Sequence, residues 1–326
     1  MKKPSILIAR AIPAEVVARL AEHFELETNP DDTIWPREEF VAKLQGKDGV
    51  FTSGGERIDA ALLAACPQLK ICANMSVGYN NFDLDAMTAA GVMASNAPDV
   101  LTETTADMAF TLLMATARRV SEAEGYLRAG LWKKMSFDML LGTDIHGATL
   151  GILGMGRIGQ AIARRGAHGF GMDVIYHNRS QLDPATEASV KARYVSKQDL
   201  FKHADHIVLV VPYSSASHHT VAAAEIALMK PTSTLVNIGR GGLIDENALA
   251  AALSAHKILG AGLDVFEGEP TVNPALLALK NVVLTPHIGS ASGPTRKAMA
   301  GLAADNLIGY LVHSKAKTPL NTPMPR

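Results

Sequence analysis

The chain has 326 residues, a length that suggests about two domains. Hydrophobic residues make up 48% and charged residues 19%, which is typical of a soluble globular chain with a large core. The formal net charge is −1 and the pI is near 6.8, so the chain lacks the charge pattern of proteins that bind nucleic acids or membrane surfaces. We therefore expect neither kind of partner.

The start of the chain and its cysteines bear on location. Arg10 interrupts the apolar stretch from Ser5 to Ala11, which leaves that stretch too short for the apolar region of a signal peptide. No apolar run approaches the roughly 18 residues of a transmembrane helix. Cys66 and Cys72 could form a disulfide or a redox pair, but we favour two buried thiols in a reducing compartment. We therefore expect a cytoplasmic protein.

The first third of the chain alternates strand-like and helix-like segments. The pattern predicts strands at Ser5–Ala9, Asp48–Thr52, Leu69–Met75 and Val92–Ser95, and helices at Pro13–His23 and Ile58–Ala65. Strands that alternate with helices imply βαβ units and a parallel sheet. A long helix should follow from Thr102, a plausible N-cap, to about Val120.

A second βαβ series begins at Ala148. Its predicted strands are Ala148–Leu153, Asp173–His177, His206–Pro212, Ser233–Gly239, Gly260–Phe266 and Asn281–Pro286. The last helix, roughly Pro294–Val312, follows this series, and we expect it to pack back on the N-terminal part; the tail from Thr318 should be irregular. These patterns predict a discontinuous domain, residues 1–100 with 288–326, and an inserted domain, residues 101–287.

The first strand of the second series leads into a glycine-rich turn. The turn is Gly154-Met155-Gly156-Arg157-Ile158-Gly159, and a helical stretch follows it. In this context G-x-G-x-x-G indicates dinucleotide binding. Its first glycine permits the tight turn, the second lets the backbone approach the pyrophosphate, and the third allows close packing of helix on strand. The N–H groups at the helix N-terminus then favour the phosphates.

The tip of the next strand bears on the choice of dinucleotide. NAD sites usually place an acidic residue there for the ribose 2′-OH. This chain has Asn178, Arg179 and Ser180 instead. Arg179 can pair with a 2′-phosphate, and its neighbours can donate hydrogen bonds to it. We therefore predict a preference for NADPH, with NADH possible; the alternative is that Arg179 is an ordinary solvated arginine.

Three further strand ends carry an arginine, a glutamate and a histidine. These residues are Arg240, Glu269 and His287. Ligands of parallel sheets bind beyond the carboxyl ends of the strands, so the three side chains should meet at one site. Arg240 can bind the carboxylate of a 2-keto acid and polarise its carbonyl. His287 can protonate the alkoxide oxygen that forms on hydride transfer, and Glu269 can orient the imidazole and favour its charged form.

One residue competes with this set, and one histidine pair raises the question of a metal site. Glu267 competes with Glu269 for the carboxylate role, and the residues alone leave this choice open. The pair His218-His219 could suggest a metal site, but no Cys, Asp or Glu lies nearby at ligand spacing. We predict that the pair begins a helix, and we expect no metal.

These residues give the chain a resemblance to the D-isomer-specific 2-hydroxyacid dehydrogenases, over essentially its whole length. Within that family the chain is most similar to bacterial glyoxylate/hydroxypyruvate reductases, also described as 2-ketogluconate reductases. The stretches that carry the resemblance are residues 76–83, 154–159, 237–242 with 245–246, 262–270 and 286–290, and residues 101–104 and 142–146 add to the closer likeness. In combination these motifs are specific for the family and less specific for the substrate.

The resemblance implies a fold, a site and a partner. The fold is α/β, with a Rossmann dinucleotide-binding domain inserted in a flavodoxin-like substrate domain and the active site in the cleft between the two domains. The resemblance selects Glu269 over Glu267 for the carboxylate role and implies that Glu267 is a surface residue. Asp264 would hydrogen-bond the nicotinamide carboxamide, and the product would be a D-hydroxy acid. Further cofactor-binding positions would be Val211, Pro212, Ile238, Gly239 and Gly289. The long helix from Thr102 and the segment after it would mediate a homodimer.

The substrate would be held from two sides. Besides Arg240 and His287, backbone N–H groups near Val77 and Gly78 could bind the substrate carboxylate. Hinge closure would bring Val77 and Gly78 toward Arg240 and exclude water. Two alternatives remain at this point. One is a cofactor-sensing, corepressor-like binding protein; the other is the same enzyme class with a different substrate, such as phosphite or a branched keto acid.

Overall fold

The computed structural model describes residues 3–325, which form two compact units. Within the described residues, the first unit runs up to Leu101 and resumes at Ala291. The second unit is the continuous segment Thr102–Ser290. Each unit contains a wholly parallel sheet, and the two-domain α/β fold predicted from the sequence is confirmed.

The sheet of the first unit has the strand order β2-β1-β3-β4-β5, the flavodoxin-like order. Its strands are β1 Ser5–Ile8, β2 Glu25–Thr28, β3 Gly49–Thr52, β4 Ile71–Asn74 and β5 Met93–Ser95. Its helices are α1 Ala14–His23, α2 Arg37–Leu44, α3 Ala60–Ala65, α4 Leu84–Ala89 and, from the C-terminal part of the chain, α13 Gly293–His313.

Both faces of this sheet are covered, as parallel sheets require. Strands β3 and β4 are buried at every position. One face packs against α1 and α13, where Ala300 and Leu307 are fully buried. The other face packs against α2, α3 and α4. The apolar cluster between them includes Cys66 and Cys72, which are free and buried, as predicted. The C-terminal helix therefore completes the core of the N-terminal unit.

The sheet of the second unit has the strand order β12-β11-β10-β9-β6-β7-β8. Counted from β6, this is the Rossmann order 3-2-1-4-5-6 with one more strand at the edge. Its strands are β6 Thr149–Leu153, β7 Asp173–His177, β8 Ala192–Tyr194, β9 His206–Leu209, β10 Thr234–Asn237, β11 Gly260–Leu263 and β12 Val282–Leu284.

The helices of the second unit pack on both faces of its sheet. They are α5 Thr102–Ala117, α6 Val120–Arg128, α7 Arg157–Arg164, α8 Pro184–Ser189, α9 Lys197–His203, α10 Ala223–Ile226, α11 Glu246–Ser254 and α12 Pro274–Leu277. Helix α5 lies very close to β11: a Cβ atom at Gly262 would be only 2.8 Å from the side chain of Thr116. The glycine permits this close packing.

The long helix from Thr102 is shorter than predicted. It ends at Ala117, and a second helix, α6, begins at Val120. Arg119 between them has a φ of 52°, a left-handed conformation that an α-helix cannot continue through. Its guanidinium instead pairs with Glu122 in the first turn of α6. The apolar pattern continues across this break, so the sequence did not show it.

Several elements were not placed from the sequence. Among them are β2 (Glu25–Thr28), α2 (Arg37–Leu44), α4 (Leu84–Ala89), α6 (Val120–Arg128) and β8 (Ala192–Tyr194). Strands β2 and β8 are at the edges of their sheets and are only partly buried. Edge strands carry polar residues that interrupt an apolar run, and the strands were predicted from apolar runs.

Within residues 3–325, we find no helix that combines the length and the apolar character needed to cross a membrane.

Candidate active site

The predicted site residues of the second unit follow its strands at one edge of the sheet. All its strands are parallel, so the segments that follow their carboxyl ends lie along one edge. These segments are residues 154–159 after β6, 178–180 after β7, 211–212 after β9, 238–240 after β10, 264–269 after β11 and 287–289 after β12.

Each glycine of the turn after β6 has a distinct environment. Gly154 has a φ of 106°, and a Cβ there would be 2.8 Å from the backbone of Val210. A Cβ at Gly159 would be 2.2 Å from the carbonyl oxygen of Gly154. A Cβ at Gly156, the N-cap of α7, would meet no atom within 4 Å. The first and third glycines are therefore required by packing, whereas the second leaves space where a pyrophosphate can approach.

The segment after β7 supports this turn. The Oδ1 atom of Asn178 accepts a hydrogen bond of 2.7 Å from the N–H of Met155. Asn178 is half-buried, while Arg179 and Ser180 are exposed. Asn178 therefore fixes the glycine-rich turn, and the guanidinium and hydroxyl beside it are accessible to a ligand.

His287 and Glu269 meet, as the sequence predicted. The Nδ1 atom of His287 lies 2.7 Å from Oε2 of Glu269, and the two side chains are 47% and 34% exposed. The other oxygen of Glu269 accepts a hydrogen bond from the N–H of Phe266 at 2.9 Å. Since Nδ1 faces the carboxylate, Nε2 is the ring nitrogen left to exchange a proton with a ligand.

Hydrogen bonds and nearby positive charge favour the ionised form of Glu269, although burial opposes it. Burial alone would raise the pKa of Glu269, but the hydrogen bond and charge of His287, the N–H of Phe266 and the charge of Arg240 together lower the pKa below its usual value. Burial lowers the pKa of Arg240, and the negative charge of Glu269 opposes that shift. A guanidinium remains charged at any working pH.

The loop that carries His287 is fixed by Asp264, which is 1% exposed. The carboxylate of Asp264 accepts hydrogen bonds from the Thr285 hydroxyl at 2.7 Å and from the N–H groups of Ile288 and Gly289 at 2.8 and 2.7 Å. Its carbonyl oxygen accepts the N–H of His287 at 2.9 Å. Sequence reasoning did not find this structural role; the predicted contact of Asp264 with a carboxamide stays a prediction.

Glu246, at the start of α11, is a second residue that sequence reasoning missed. Its side chain accepts a hydrogen bond of 2.7 Å from the N–H of Glu267, and the residue is 8% exposed. Burial raises the pKa of Glu246, and the negative charges of Glu267 and Glu269 raise it further. Glu246 thus anchors the segment that carries Glu269.

The prediction that His218 and His219 begin a helix is wrong. They form a turn in which His219 has a φ of 48°, a left-handed conformation that a helix cannot contain, and α10 begins only at Ala223. No acidic residue lies at ligand spacing along the chain, but Glu267 meets the pair in the folded structure. Oε2 of Glu267 is 2.8 Å from Nε2 of His219, and Oε1 is 4.0 Å from Nδ1 of His218.

This group of three side chains is compact enough to hold a metal ion, since its ligand atoms lie within 4.8 Å of one another. The hydrogen bond of 2.8 Å between His219 and Glu267 accounts for their contact without a metal. Glu267 is 48 residues from His219 in sequence, so spacing along the chain could not reveal the contact.

In the first unit, Val77 and Gly78 lie in the loop after β4. Both residues are half-buried. The loop is therefore only partly covered by the rest of the chain.

Comparison with known proteins identifies the family. Residues 110–289 match the family model of the D-isomer specific 2-hydroxyacid dehydrogenase, NAD binding domain. That match spans more than half of the chain. The chain belongs to this family. This dehydrogenase is therefore an oxidoreductase, and its second unit is a nicotinamide-dinucleotide-binding domain.

Relatives of the dehydrogenase support the assignment along its whole length. A glyoxylate reductase of Thermococcus gammatolerans is 47% identical over 312 residues, which cover 94% of this chain and 93% of the relative. The glyoxylate/hydroxypyruvate reductase B of Klebsiella pneumoniae is 42% identical over 323 residues, which cover 98% of each.

The dehydrogenase is also similar to a solved structure, that of the NADPH-dependent glyoxylate/hydroxypyruvate reductase of Sinorhizobium meliloti in complex with NADP and malonate. The TM-score is 0.87 and the sequence identity is 36%. The similarity covers 100% of this chain and 99% of the other. The resemblance drawn from the sequence is thus confirmed.

The glycine environments predict that Gly156→Ala and Gly159→Ala damage the dehydrogenase in different ways. Gly156→Ala should cost less than about 1 kcal/mol of stability, because its Cβ meets no atom, yet weaken NADPH binding at least about tenfold. Gly159→Ala should lower stability by ~1–3 kcal/mol or more, because its Cβ would overlap the backbone of Gly154.

Thermal unfolding and calorimetric titration with NADPH measure the two effects. Unchanged NADPH affinity in Gly156→Ala would contradict the assignment of Gly156 to the phosphate site, and equal losses of stability in the two variants would contradict the packing difference.

Proposed function

We propose that this dehydrogenase is an NADPH-preferring reductase that converts small 2-keto acids to D-2-hydroxy acids. Glyoxylate and hydroxypyruvate are the proposed substrates, and 2-ketogluconate is a further candidate. The observation that carries the proposal is the contact of 2.7 Å between His287 and Glu269, with the charge of Arg240 acting on the same carboxylate. An acid, its orienting base and a cation are thus present in one group of loops.

Arg240 provides the cation for an anionic substrate. Its guanidinium presents several donors in a rigid fork, which suits a carboxylate and can also polarise the neighbouring carbonyl. One donor, Nη1, bonds the carbonyl oxygen of Gly239 at 2.7 Å, and this bond restricts the side chain. We propose that Arg240 orients the keto acid through both its carboxylate and its carbonyl oxygen.

His287 provides the proton. When bound, NADPH supplies the hydride for the carbonyl carbon, and negative charge develops on the carbonyl oxygen. We propose that Nε2 of His287 donates a proton to that oxygen, and that Glu269 stabilises the charged imidazole and holds its orientation. In the reverse direction the neutral ring accepts the proton from the hydroxy acid.

Further groups of the chain hold the ligands. We propose that the N–H groups of Val77 and Gly78 bind the substrate carboxylate. The proposed cofactor contacts are those of the glycine-rich turn, residues 154–159, together with Asn178, Arg179, Ser180, Val211, Pro212, Ile238, Gly239, Asp264 and Gly289. Most of these positions lie beyond strand ends, where parallel sheets bind nucleotides.

An assay of NADPH oxidation at 340 nm with a panel of keto acids tests the function. Consumption of NADPH with glyoxylate or hydroxypyruvate is the expected result. Tight cofactor binding with no turnover of any keto acid would overturn the proposal and favour a cofactor-sensing binding protein. Turnover of phosphite or of branched keto acids alone would keep the enzyme class and overturn the proposed substrate.

Substitution of the acid and of the cation should have distinct kinetic effects. His287→Ala should lower kcat by about 10²–10⁴ and leave NADPH affinity nearly unchanged, because only proton transfer is lost. Arg240→Ala should raise KM for the keto acid and lower kcat together, because it contacts two substrate groups. Steady-state kinetics and NADPH titration measure both.

The chain offers a matched control for the carboxylate role. Glu269→Gln should lower kcat, because the amide cannot balance the charge of His287, whereas Glu267→Gln should not. Near-normal turnover in His287→Ala or Glu269→Gln would show that its role is misassigned.

Arg179 supports the preference for NADPH. The side chain is exposed at the tip of β7, beside the turn that Asn178 holds, and no acidic residue occupies positions 178–180. Arg179→Ala should raise KM for NADPH about tenfold and leave KM for NADH nearly unchanged, because only NADPH carries the 2′-phosphate.

Arg193→Ala is the control, since Arg193 is also exposed and lies on β8 of the same unit. A wild-type enzyme with a clearly higher kcat/KM for NADH would overturn the cofactor preference.

A homodimer is the proposed assembly. Its support is a run of exposed apolar side chains in and after α6, which would be unusual on a surface facing water. These are Val120, Leu127, Leu131, Trp132, Met135, Phe137 and Leu141, with Phe137 the most exposed at 96%.

Light scattering should give about twice the chain mass of 34.6 kDa. Phe137→Ser should shift the mass toward the monomer, whereas Ile34→Ser, at an exposed apolar residue of the first unit, should not. A monomeric wild type would refute the assembly.

We also propose a cytoplasmic location. The support is that both cysteines are free, as expected in a reducing compartment. Cell fractionation would test it, and recovery of the protein outside the cytoplasmic fraction would refute it.

A further inference from the structure

In the loop after β4, the carbonyl oxygens of Ser76, Val77 and Gly78 accept hydrogen bonds, whereas the N–H groups of Val77 and Gly78 donate none to the described residues. The carbonyl oxygen of Ser76 accepts the N–H of Ala97 at 3.0 Å, and that of Val77 accepts Nδ2 of Asn96 at 2.8 Å. Across the described chain, residues 3–325, no hydrogen bond is donated by the N–H of Val77 or Gly78. The loop therefore offers donors and no acceptors at these two peptide groups.

The next carbonyl in the loop is held in the same way. That of Gly78 accepts Nδ2 of Asn74 at 3.0 Å and the hydroxyl of Ser76 at 2.7 Å. Asn74 is fully buried at the end of β4, and Asn96 is 7% exposed just after β5, the neighbouring strand. Both amides thus project from rigid parts of the sheet, and a buried amide favours a fixed partner because losing it costs desolvation energy.

Peptide planarity connects these bonds to the direction of the N–H groups. In a trans peptide the carbonyl of one residue and the N–H of the next point in opposite directions. The bond from Asn96 to the Val77 carbonyl therefore fixes the direction of the Gly78 N–H. The backbone bond from Ala97 to the Ser76 carbonyl fixes the Val77 N–H in the same way. Without these bonds either peptide unit could rotate and turn its N–H away.

We propose that Asn96 is a positioning residue: its side-chain amide holds the Val77–Gly78 peptide so that the Gly78 N–H binds the substrate carboxylate. Asn74 holds the following peptide and keeps Gly78 in place. The proposal rests on the proposed function as a 2-keto acid reductase. Successive backbone N–H groups form an anion-binding site with no charged side chain of its own, which suits a small carboxylate.

The test compares two asparagines of the same unit. Asn96→Leu removes the amide without adding charge. Asn321→Leu is the matched control, because Asn321 also makes structural bonds, to Ala94 at 2.8 Å and to Thr88 and Val92 at 3.0 Å, but none to the loop. The measured quantities are KM and kcat for glyoxylate, KM for NADPH, the inhibition constant of oxamate, a carboxylate analogue of the substrate, and the Tm.

Asn96→Leu should raise KM for glyoxylate and the inhibition constant of oxamate together, about tenfold, as expected for one lost hydrogen bond to a charged group. It should change kcat much less and leave KM for NADPH unchanged. Asn321→Leu should lower the Tm and leave all the kinetic constants unchanged. If Asn96→Leu does not fold, the isosteric Asn96→Asp, which cannot donate when ionised, should raise the same two constants at least as much.

Two results would overturn the positioning role. One is an unchanged KM and inhibition constant in a folded Asn96 variant. The other is the same rise in Asn321→Leu, which would show a general loosening of the unit. A wild-type enzyme that reduces no keto acid would overturn the proposed function, and this proposal with it, so the two failures are separable.

Discussion

The buried carboxylate of Asp264 fixes the geometry on which the candidate active site depends. It lies at the end of β11, and both of its oxygens accept hydrogen bonds from the chain just beyond β12. A buried charge without such partners would be costly, so these donors and the carboxylate stabilise one arrangement of the loop. His287 in that loop has a φ of 52°, which a residue other than glycine adopts only where its surroundings enforce it.

Each unit, taken by itself, presents a different kind of candidate ligand-binding group. The second unit holds the ionisable groups, in which Glu269 is kept negative beside His287 and Arg240. The first unit presents neutral peptide N–H groups, oriented by buried amides. Peptide dipoles do not titrate, so the carboxylate binding assigned to Val77 and Gly78 does not depend on the protonation of those two N–H groups.

Sequence reasoning succeeded where the signal was local or followed from sheet topology. The glycine-rich turn lies between a strand and a helix that the apolar pattern predicted. The meeting of Glu269 with His287 followed from one rule, that parallel strands end at a common edge. These two kinds of signal were enough for the two-domain fold and for the contact at the centre of the candidate site.

The residues that sequence reasoning missed act through contacts without a periodic or motif signal. Glu246 contacts Glu267, 21 residues away, and Asn96 contacts Val77, 19 residues away. Buried polar side chains of this kind satisfy individual backbone groups, and which group each one meets depends on the path of the loops. The break at Arg119 escaped prediction because apolar residues continue on both sides of it.

The chain order of the two units has a consequence for biosynthesis. The second unit is one continuous segment, whereas the first needs α13, whose Ala300 and Leu307 fill one face of its sheet. During translation, residues 102–290 leave the ribosome before α13 has been synthesised. The first unit therefore begins to be translated first but can finish folding only last. Until α13 is made, the strand residues that pack against it, including Phe51 and Ile71, lack this helix as a partner. A nascent chain stalled before residue 291 would expose that face to chaperones.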